Sequence, residues 1–226
     1  MKTNKNYIPE MFDKIADDYD RLNHRLSFGS DKKWRRKFVS LLSDKKYDTI
    51  ADIACGTGDV LMELQKLNAG KYYAIDPSER MLKYAKQKKI NAEFVISSAE
   101  DIPLPDKSVD LITVVFGIRN FADLSKSTEE IYRVLRKGGI ISIMEFSIPK
   151  FLLFRWGFLL YLKLLVPLCG NLLPEQKKAY IYLSESIVKF ARSTDIKSSF
   201  ETSGFSKSGI SKLMLGSVSI YSFEKE

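Results

Sequence analysis

An acidic, glycine-rich turn is the first place in this chain where residue types and spacing point to chemistry. Asp52-Ile53-Ala54-Cys55-Gly56-Thr57-Gly58-Asp59 follows an apolar run, Thr49 to Ala54, and opens a helical run, Asp59 to Leu67. Glycines in such a turn let the backbone approach a ligand closely. Asp76 ends the next apolar run, Lys71 to Asp76. A carboxylate at the end of a second strand can accept both ribose hydroxyls of an adenosine. The turn is not a dinucleotide fingerprint, because Leu61 stands where the third glycine belongs. Nor is it a phosphate loop, since no Gly-Lys-Ser/Thr follows. Asp52 and Asp59 would repel a pyrophosphate but suit an adenosine ligand with ammonium and sulfonium charge. S-adenosylmethionine (SAM) is such a ligand. A strand-turn-helix without any ligand is the alternative at this point.

That turn works only if several strands bring their carboxyl ends together. Five runs read as strands: Thr49 to Ala54, Lys71 to Asp76, Glu93 to Ser97, Val109 to Phe116 and Ile140 to Glu145. Helical patterns lie between them at Asp59 to Leu67, Pro77 to Lys88 and Thr128 to Arg136, the last ended by Gly138-Gly139. Apolar strands alternating with helices predict a parallel sheet covered on both faces, hence a doubly wound α/β fold. Ligands bind such sheets at the strand carboxyl ends. Ser98 to Pro105 would then pass the adenine edge, and Val114 to Gly117 would run beneath the methionine part.

Helical spacing also covers Pro9 to Leu22 and Asp31 to Leu42. Phe205 to Leu213 and Ser217 to Phe223, separated by Gly216, read as an antiparallel edge pair. Phe151 to Leu173 is the most apolar stretch, broken by Arg155, Gly157, Lys163 and Pro167. A membrane span needs about 20 apolar residues and tolerates central charge badly. A helix packed on the core or lying on a membrane surface fits better.

The 226 residues, 45% hydrophobic and 28% charged, suit one globular domain with extensions. Two cysteines, Cys55 and Cys169, and one histidine, His24, exclude a disulfide scaffold and a thiolate zinc site. They also speak against a Ser-His-Asp triad, and no metal is expected. The net charge of +8 favours an anionic partner. The basic clusters Asp31 to Lys37 and Lys86 to Lys89 are short and read as solvated helix faces. Met1 to Glu10 lack an apolar export signal, so the cytoplasm is the expected compartment.

Further motifs carry a family resemblance. They are Pro105-Asp106, Asp110-x-Ile112-Thr113, Phe116-Gly117-Ile118-Arg119-Asn120, Arg133 to Gly139 and Glu145-Phe146-Ser147-x-Pro149. Tyr180-x-Tyr182-Leu183-x-Glu185-Ser186-Ile187, Ser203-Gly204-Phe205, Met11 to Asp20 and Leu26 to Gly29 complete the set. With the glycine turn, they make residues 9–224 similar to the ubiquinone/menaquinone biosynthesis C-methyltransferase family, within the class I SAM-dependent methyltransferases.

The resemblance implies a Rossmann-like sheet of seven strands, mostly parallel, with an antiparallel last strand. It implies one methyltransferase domain over residues 1–226, a helical lid at 9–42 and a helical cover at 151–192. It also implies SAM held by Asp52, Gly56, Thr57, Gly58, Asp76, Ser98, Ala99 and Val115. The substrate would be a polyprenylated quinol, methylated on a ring carbon. Demethylmenaquinol leads, and a methoxybenzoquinol is the alternative. Cys55 departs from a frequent Gly, Val115 from a frequent Ser or Ala, and Ser98 from a usual Asp or Asn, which would weaken an adenine contact. A methyltransferase for another lipid and a SAM-binding scaffold are the competing readings. An RNA methyltransferase is disfavoured, because no Asn-Pro-Pro-Tyr follows the fourth strand, and nucleic acid is not an expected partner.

Ring methylation needs an electron-rich carbon, which a phenolate neighbour supplies. Phenols ionise near pKa ~10, so the phenolate must be stabilised or a base supplied. Arg119 is the expected stabiliser, because guanidinium holds its charge. Asn120 would orient the hydroxyl. A base proper could be His24, Tyr180, Tyr182 or a carboxylate, and Tyr180 is counted with Arg119 and Asn120 among the candidate catalytic residues. Tyr19, Phe116 and Tyr182 would wall the ring. An isoprenoid tail explains Phe151 to Leu173, and peripheral contact with the inner face of the membrane follows. A homodimer is left open.

Overall fold

The computed structural model describes residues 7–171 and 177–226. Its strands form where the chain is most apolar and β-branched. They are β1 (Thr49–Ile53), β2 (Lys71–Asp76), β3 (Glu93–Ile96), β4 (Val109–Val115), β5 (Leu135–Phe146), β6 (Phe205–Leu213) and β7 (Val218–Lys225). They make one sheet in the order β3-β2-β1-β4-β5-β7-β6. β1 to β5 are parallel, β7 runs antiparallel to β5, and β6 runs antiparallel to β7. The seven-stranded, mostly parallel architecture expected from the sequence is present. As expected, β6 and β7 form an antiparallel pair at one end of the sheet. β7 lies between β5 and β6, because Val218, Ile220 and Phe223 are buried. Ser211 and Lys212 suit β6 to its place at one edge of the sheet, β3 forming the other.

Helices cover both faces. α3 (Ser30–Ser40), α4 (Asp59–Leu64) and α5 (Glu79–Gln87) pack Phe38, Leu61, Leu64 and Leu82 against Ile50, Ala74 and Leu111. On the other face α6 (Leu124–Val134) and α10 (Ile196–Thr202) set Ile131, Val134 and Phe200 against Ile53, Ile112 and Ile141. Ser78 caps α5 by accepting from the Met81 amide, and Asp123 caps α6 by accepting from Lys126.

Two boundaries differ from the sequence reading. Pro9 to Leu22 is not one helix but parts of two, α1 (Tyr7–Ile15) and α2 (Tyr19–Leu26). The break lets Asp17 accept from Tyr84 Oη on α5 at 2.6 Å while Tyr19 turns toward the strand ends. The helix expected to end at Gly138-Gly139 instead ends at Val134, and β5 starts at once. Val109 pairs with Leu135 and Leu111 with Ile140, so residues 136–139 bulge out, with Gly138 left-handed at φ 75°. The apolar stretch forms α7 (Leu152–Leu160), a π-helical turn (Tyr161–Leu165) and α8 (Val166–Asn171), and α9 (Lys177–Ser193) packs back on α8. No helix among the described residues is long and apolar enough to cross a membrane.

Candidate active site

The carboxyl ends of the central strands are shaped by strained backbone. Ala54 after β1 and Phe116 after β4 are left-handed at φ 54° and 56°. Such strain in non-glycine residues gathers at functional sites. Gly117 is tolerated there only without a side chain, since a Cβ would lie 2.6 Å from the Ala54 methyl. Gly58, at φ 81°, turns the chain into α4, and a Cβ would lie 2.7 Å from Ile90 Cδ1.

Two cavities open over these strand ends and share Tyr19, Ala54, Gly56, Val115, Phe116 and Arg119 as their partition. The larger, about 940 Å³, has the volume of a cofactor-sized site. Asp76, Ser98 and Ala99 line it, with Asn120, and Tyr182 and Lys189 of α9 close it. Asp76 Oδ2 accepts from the Gly56 amide at 2.8 Å, and Oδ1 accepts from the Ser78 amide at 2.9 Å. Burial pushes this carboxyl up to about 6, against the pull of those two amides. Each oxygen keeps a lone pair for a ribose hydroxyl.

The smaller cavity, about 290 Å³, is mostly apolar. Phe116 stacks on Phe146 at 4.6 Å between ring centroids, and Trp34 meets both rings edge-on at 6.2 and 6.3 Å. Phe158, Tyr161 and Leu162 continue the wall. Arg119 carries charge into it. Its Nη1 donates to Glu145 Oε1 at 2.9 Å and to the Phe116 carbonyl, and its guanidinium lies 5.9 Å from the Phe146 centroid. Glu145 is buried at the end of β5, and burial holds its carboxyl above the usual range, with Arg119 opposing. Arg119 Nε is buried without a partner. Tyr182 Oη donates to Asn120 Oδ1 at 2.8 Å, so two residues expected at the substrate meet, but on the wall of the larger cavity and not in the aromatic one. Burial raises the Tyr19 phenol, which makes it a poor source of phenolate on its own.

Several expected residues stand elsewhere. Asp52 lies beneath the turn and lines neither cavity. Its Oδ1 accepts from Thr113 Oγ1 at 2.6 Å, its Oδ2 is buried without a partner, and burial pushes it up to about 7. Gly58 shapes the turn and lines neither cavity. Thr57 lines the smaller cavity, and its hydroxyl donates to Asp20 of α2. Tyr180 is buried in a cluster with Leu22, Leu162 and Ile187, outside both cavities. Cys55 is a buried thiol pushed well up by burial. Cys169 has no described side chain.

The basic clusters are not simply solvated faces. Lys88 Nζ bridges Asp20 and Asp59 at 2.6 and 2.5 Å, which ties α2 to the glycine turn. Asp31 and Arg35 are buried and paired, while Lys32, Lys33 and Arg36 are exposed. His24 Nδ1 lies 2.7 Å from Asp31 Oδ2. Ligand-type atoms of His24, Asp31 and Asp59 gather within 4.8 Å, but Arg35 already pairs with both carboxylates.

Glu145, Trp34 and Phe146 are not among the site residues expected from the sequence, although Glu145 and Phe146 belong to a motif of the family resemblance. A glutamate ending an apolar strand, at the head of that motif, is the signal that marks Glu145. Trp34 and Phe146 lie more than a hundred positions apart, and nothing local joins them.

A family model described as the ubiE/COQ5 methyltransferase family matches residues 1–225. The chain is 38% identical over 226 residues, 96% of each chain, to the ubiquinone/menaquinone biosynthesis C-methyltransferase UbiE of Geotalea daltonii. It is 35% identical to a demethylmenaquinone methyltransferase of Bacteroides fragilis, over 96% of this chain and 92% of that one. A solved SAM-dependent methyltransferase of Thermotoga maritima superposes with a TM-score of 0.65 at 20% identity, over 96% of this chain and 99% of that one. The last likeness speaks for the fold.

Proposed function

The chain belongs to the ubiE/COQ5 methyltransferase family, and on that premise we propose that it methylates a ring carbon of a polyprenylated quinol, demethylmenaquinol first. It is a SAM-dependent methyltransferase of quinone biosynthesis. The observation that carries the finer reading is the partition between the two cavities. Arg119 stands on it, with the Asp76 cavity on one side and an aromatic cavity sized for a ring on the other.

The cofactor fits the larger cavity. Asp76 offers a buried carboxylate for a ribose, Gly56 leaves room for close approach, and Ser98-Ala99 border the adenine side. When bound, SAM supplies a methyl group on a positively charged sulfonium. The ring would lie between Phe116, Phe146 and Trp34. Arg119, held by Glu145, would lower the cost of the quinolate oxygen in this dry cavity. Such preorganised charge costs no reorganisation during the reaction. Asn120, aligned by Tyr182 on the cofactor side beside Arg119, would fix the ionising hydroxyl only where the ring reaches that side. Transfer requires the sulfonium methyl to touch the ring carbon, so the two cavities would join at the residues they share. Alignment there converts the encounter into a unimolecular step, worth up to roughly 7–11 kcal/mol. The proton would pass to water or to a carboxylate at the rim, and Tyr180, away from both cavities, would act by packing.

Peripheral contact with the inner face of the membrane belongs to this reading. The test is methyl transfer from labelled SAM to two reduced acceptors in detergent, a demethylmenaquinol and a methoxybenzoquinol. Label on the first supports the assignment. Label on the second alone would replace the acceptor. Label on neither, with SAM bound, would overturn it.

A further inference from the structure

α7, Leu-Leu-Phe-Arg-Trp-Gly-Phe-Leu-Leu, has Arg155 as its one charged residue, yet it fully buries no side chain and only Phe158 and Leu159 are half-buried. Helices of that composition are normally covered by protein or by lipid. Leu153 is 72% exposed and Trp156 68%. Two turns beside it do the same. Phe28, at φ 51° between α2 and α3, is 85% exposed. Met214 and Leu215, at φ 47° and 55° between β6 and β7, are 57% and 65% exposed. Left-handed backbone at bulky apolar residues that face solvent is costly twice over.

These three segments are distant in sequence but meet in space. Tyr161 Oη, just after α7, donates to the Leu26 carbonyl at 2.6 Å. The Ser147 amide donates to the Ser217 carbonyl at 2.9 Å. Phe28, Phe158 and Met214 all line the smaller cavity, so it borders the apolar patch. The charges agree. Residues 21–30, 146–174 and 202–223 contain no Asp or Glu, while Arg25, Lys150, Arg155, Lys163 and Lys212 are exposed there.

From this we infer that the patch is a docking face for an anionic lipid bilayer, and that the smaller cavity opens through it as a lateral portal. The inference rests on the prenylated-quinol reading above. α7 would lie in the interface, and Phe28 and Met214-Leu215 would reach into the acyl boundary beside the mouth. The ring would enter the cavity while its tail stays in lipid, so no isoprenoid crosses water. A second copy of this chain is the weaker occupant, since an isologous contact would set the basic charges of one patch against the same charges of the other.

The experiment uses the whole chain and vesicles of phosphatidylcholine with or without phosphatidylglycerol. Wild type should sediment with the anionic vesicles at low salt and be released by high salt. Leu153→Glu with Trp156→Glu should abolish sedimentation. The same variant should lose at least about tenfold in turnover of a long-tailed acceptor held in vesicles. Turnover of a short-tailed, water-soluble acceptor should be unchanged. Brominated lipid should quench wild-type tryptophan emission more than that of Trp156→Phe. The inference is overturned if wild type stays in the supernatant, if the double variant keeps its vesicle turnover, or if the patch mediates a dimer in solution. Sedimentation intact with no transfer to either acceptor would overturn the quinol reading and the portal together, and would leave the docking face standing.

Discussion

Arg119 Nη1 and Glu145 Oε1 lie 2.9 Å apart across the carboxyl ends of β4 and β5, both side chains buried. The pair puts a cation in the wall of an apolar cavity without leaving it uncompensated. Arg119→Gln should lower kcat by about 10²–10³, the usual loss when a preorganised stabilising group is removed. SAM affinity should stay within a few-fold. Arg119→Lys keeps the charge but not the fork, and should fall between. Glu145→Gln leaves the arginine unpaired and should cost about 3–5 kcal/mol of stability, read by urea unfolding.

Asp76 ties the glycine turn to the wall of the larger cavity, where the proposed function puts the ribose. With its carboxyl raised to about 6, a cationic ligand must displace a proton at lower pH. SAM should therefore bind more tightly at about pH 8 than at about pH 5.5, with proton release on binding near pH 6. Calorimetry in buffers of different ionisation enthalpy reads this directly. Asp76→Asn should weaken binding by about tenfold to a hundredfold and flatten the pH dependence. Binding with no proton release would refute the assignment.

Asp52 is buried with one oxygen unpartnered and its carboxyl is raised from 3.8 to about 7. Its folded pKa lies above the unfolded value, so the native state binds the extra proton between those limits. Stability from this group is therefore present at low pH and is lost as pH rises toward 7. The Tm of Asp52→Asn relative to wild type should climb between about pH 4 and 7 and level off above. Thermal melts across that range test it, and a flat difference would contradict it.

The Tyr182 hydroxyl donates to Asn120. Tyr182→Phe removes that bond and frees the amide to rotate. A single neutral hydrogen bond is worth about 0.5–1.5 kcal/mol, so kcat should drop roughly two- to tenfold. KM for SAM should move less than kcat, because the phenylalanine ring keeps the wall that Tyr182 gives the larger cavity and the Asp76 contacts are untouched. A rise in that KM with kcat unchanged would assign Tyr182 to the cofactor instead.

The sequence by itself determined the parallel core of the sheet, because its strands are continuous apolar runs with turn signals at their ends. It also determined the glycine turn and Asp76, whose meaning depends only on the strand before and the helix after. The Phe116-Gly117-Ile118-Arg119-Asn120 run carried the family, since every residue of it is local. Boundaries went astray where tertiary contacts overrode local pattern. α1 and α2 part so that Asp17 and Tyr19 can face different ways, and β5 begins at Leu135 because Val109 is there to pair with it.

Tertiary structure alone decided which residues share a wall. Asp52 and Asp76 look alike in sequence, yet one sits beneath the turn on Thr113 and the other lines the cavity. Tyr180 and Tyr182 are two positions apart on one helix, so they point about 200° apart around its axis. That rotation sends one into packing and the other to Asn120. Trp34, Phe146 and Glu145 joined the site only because α3 and β5 meet across the sheet. Periodicity reports a residue's face, but the partner on that face comes from a segment far along the chain, and only the fold brings it there.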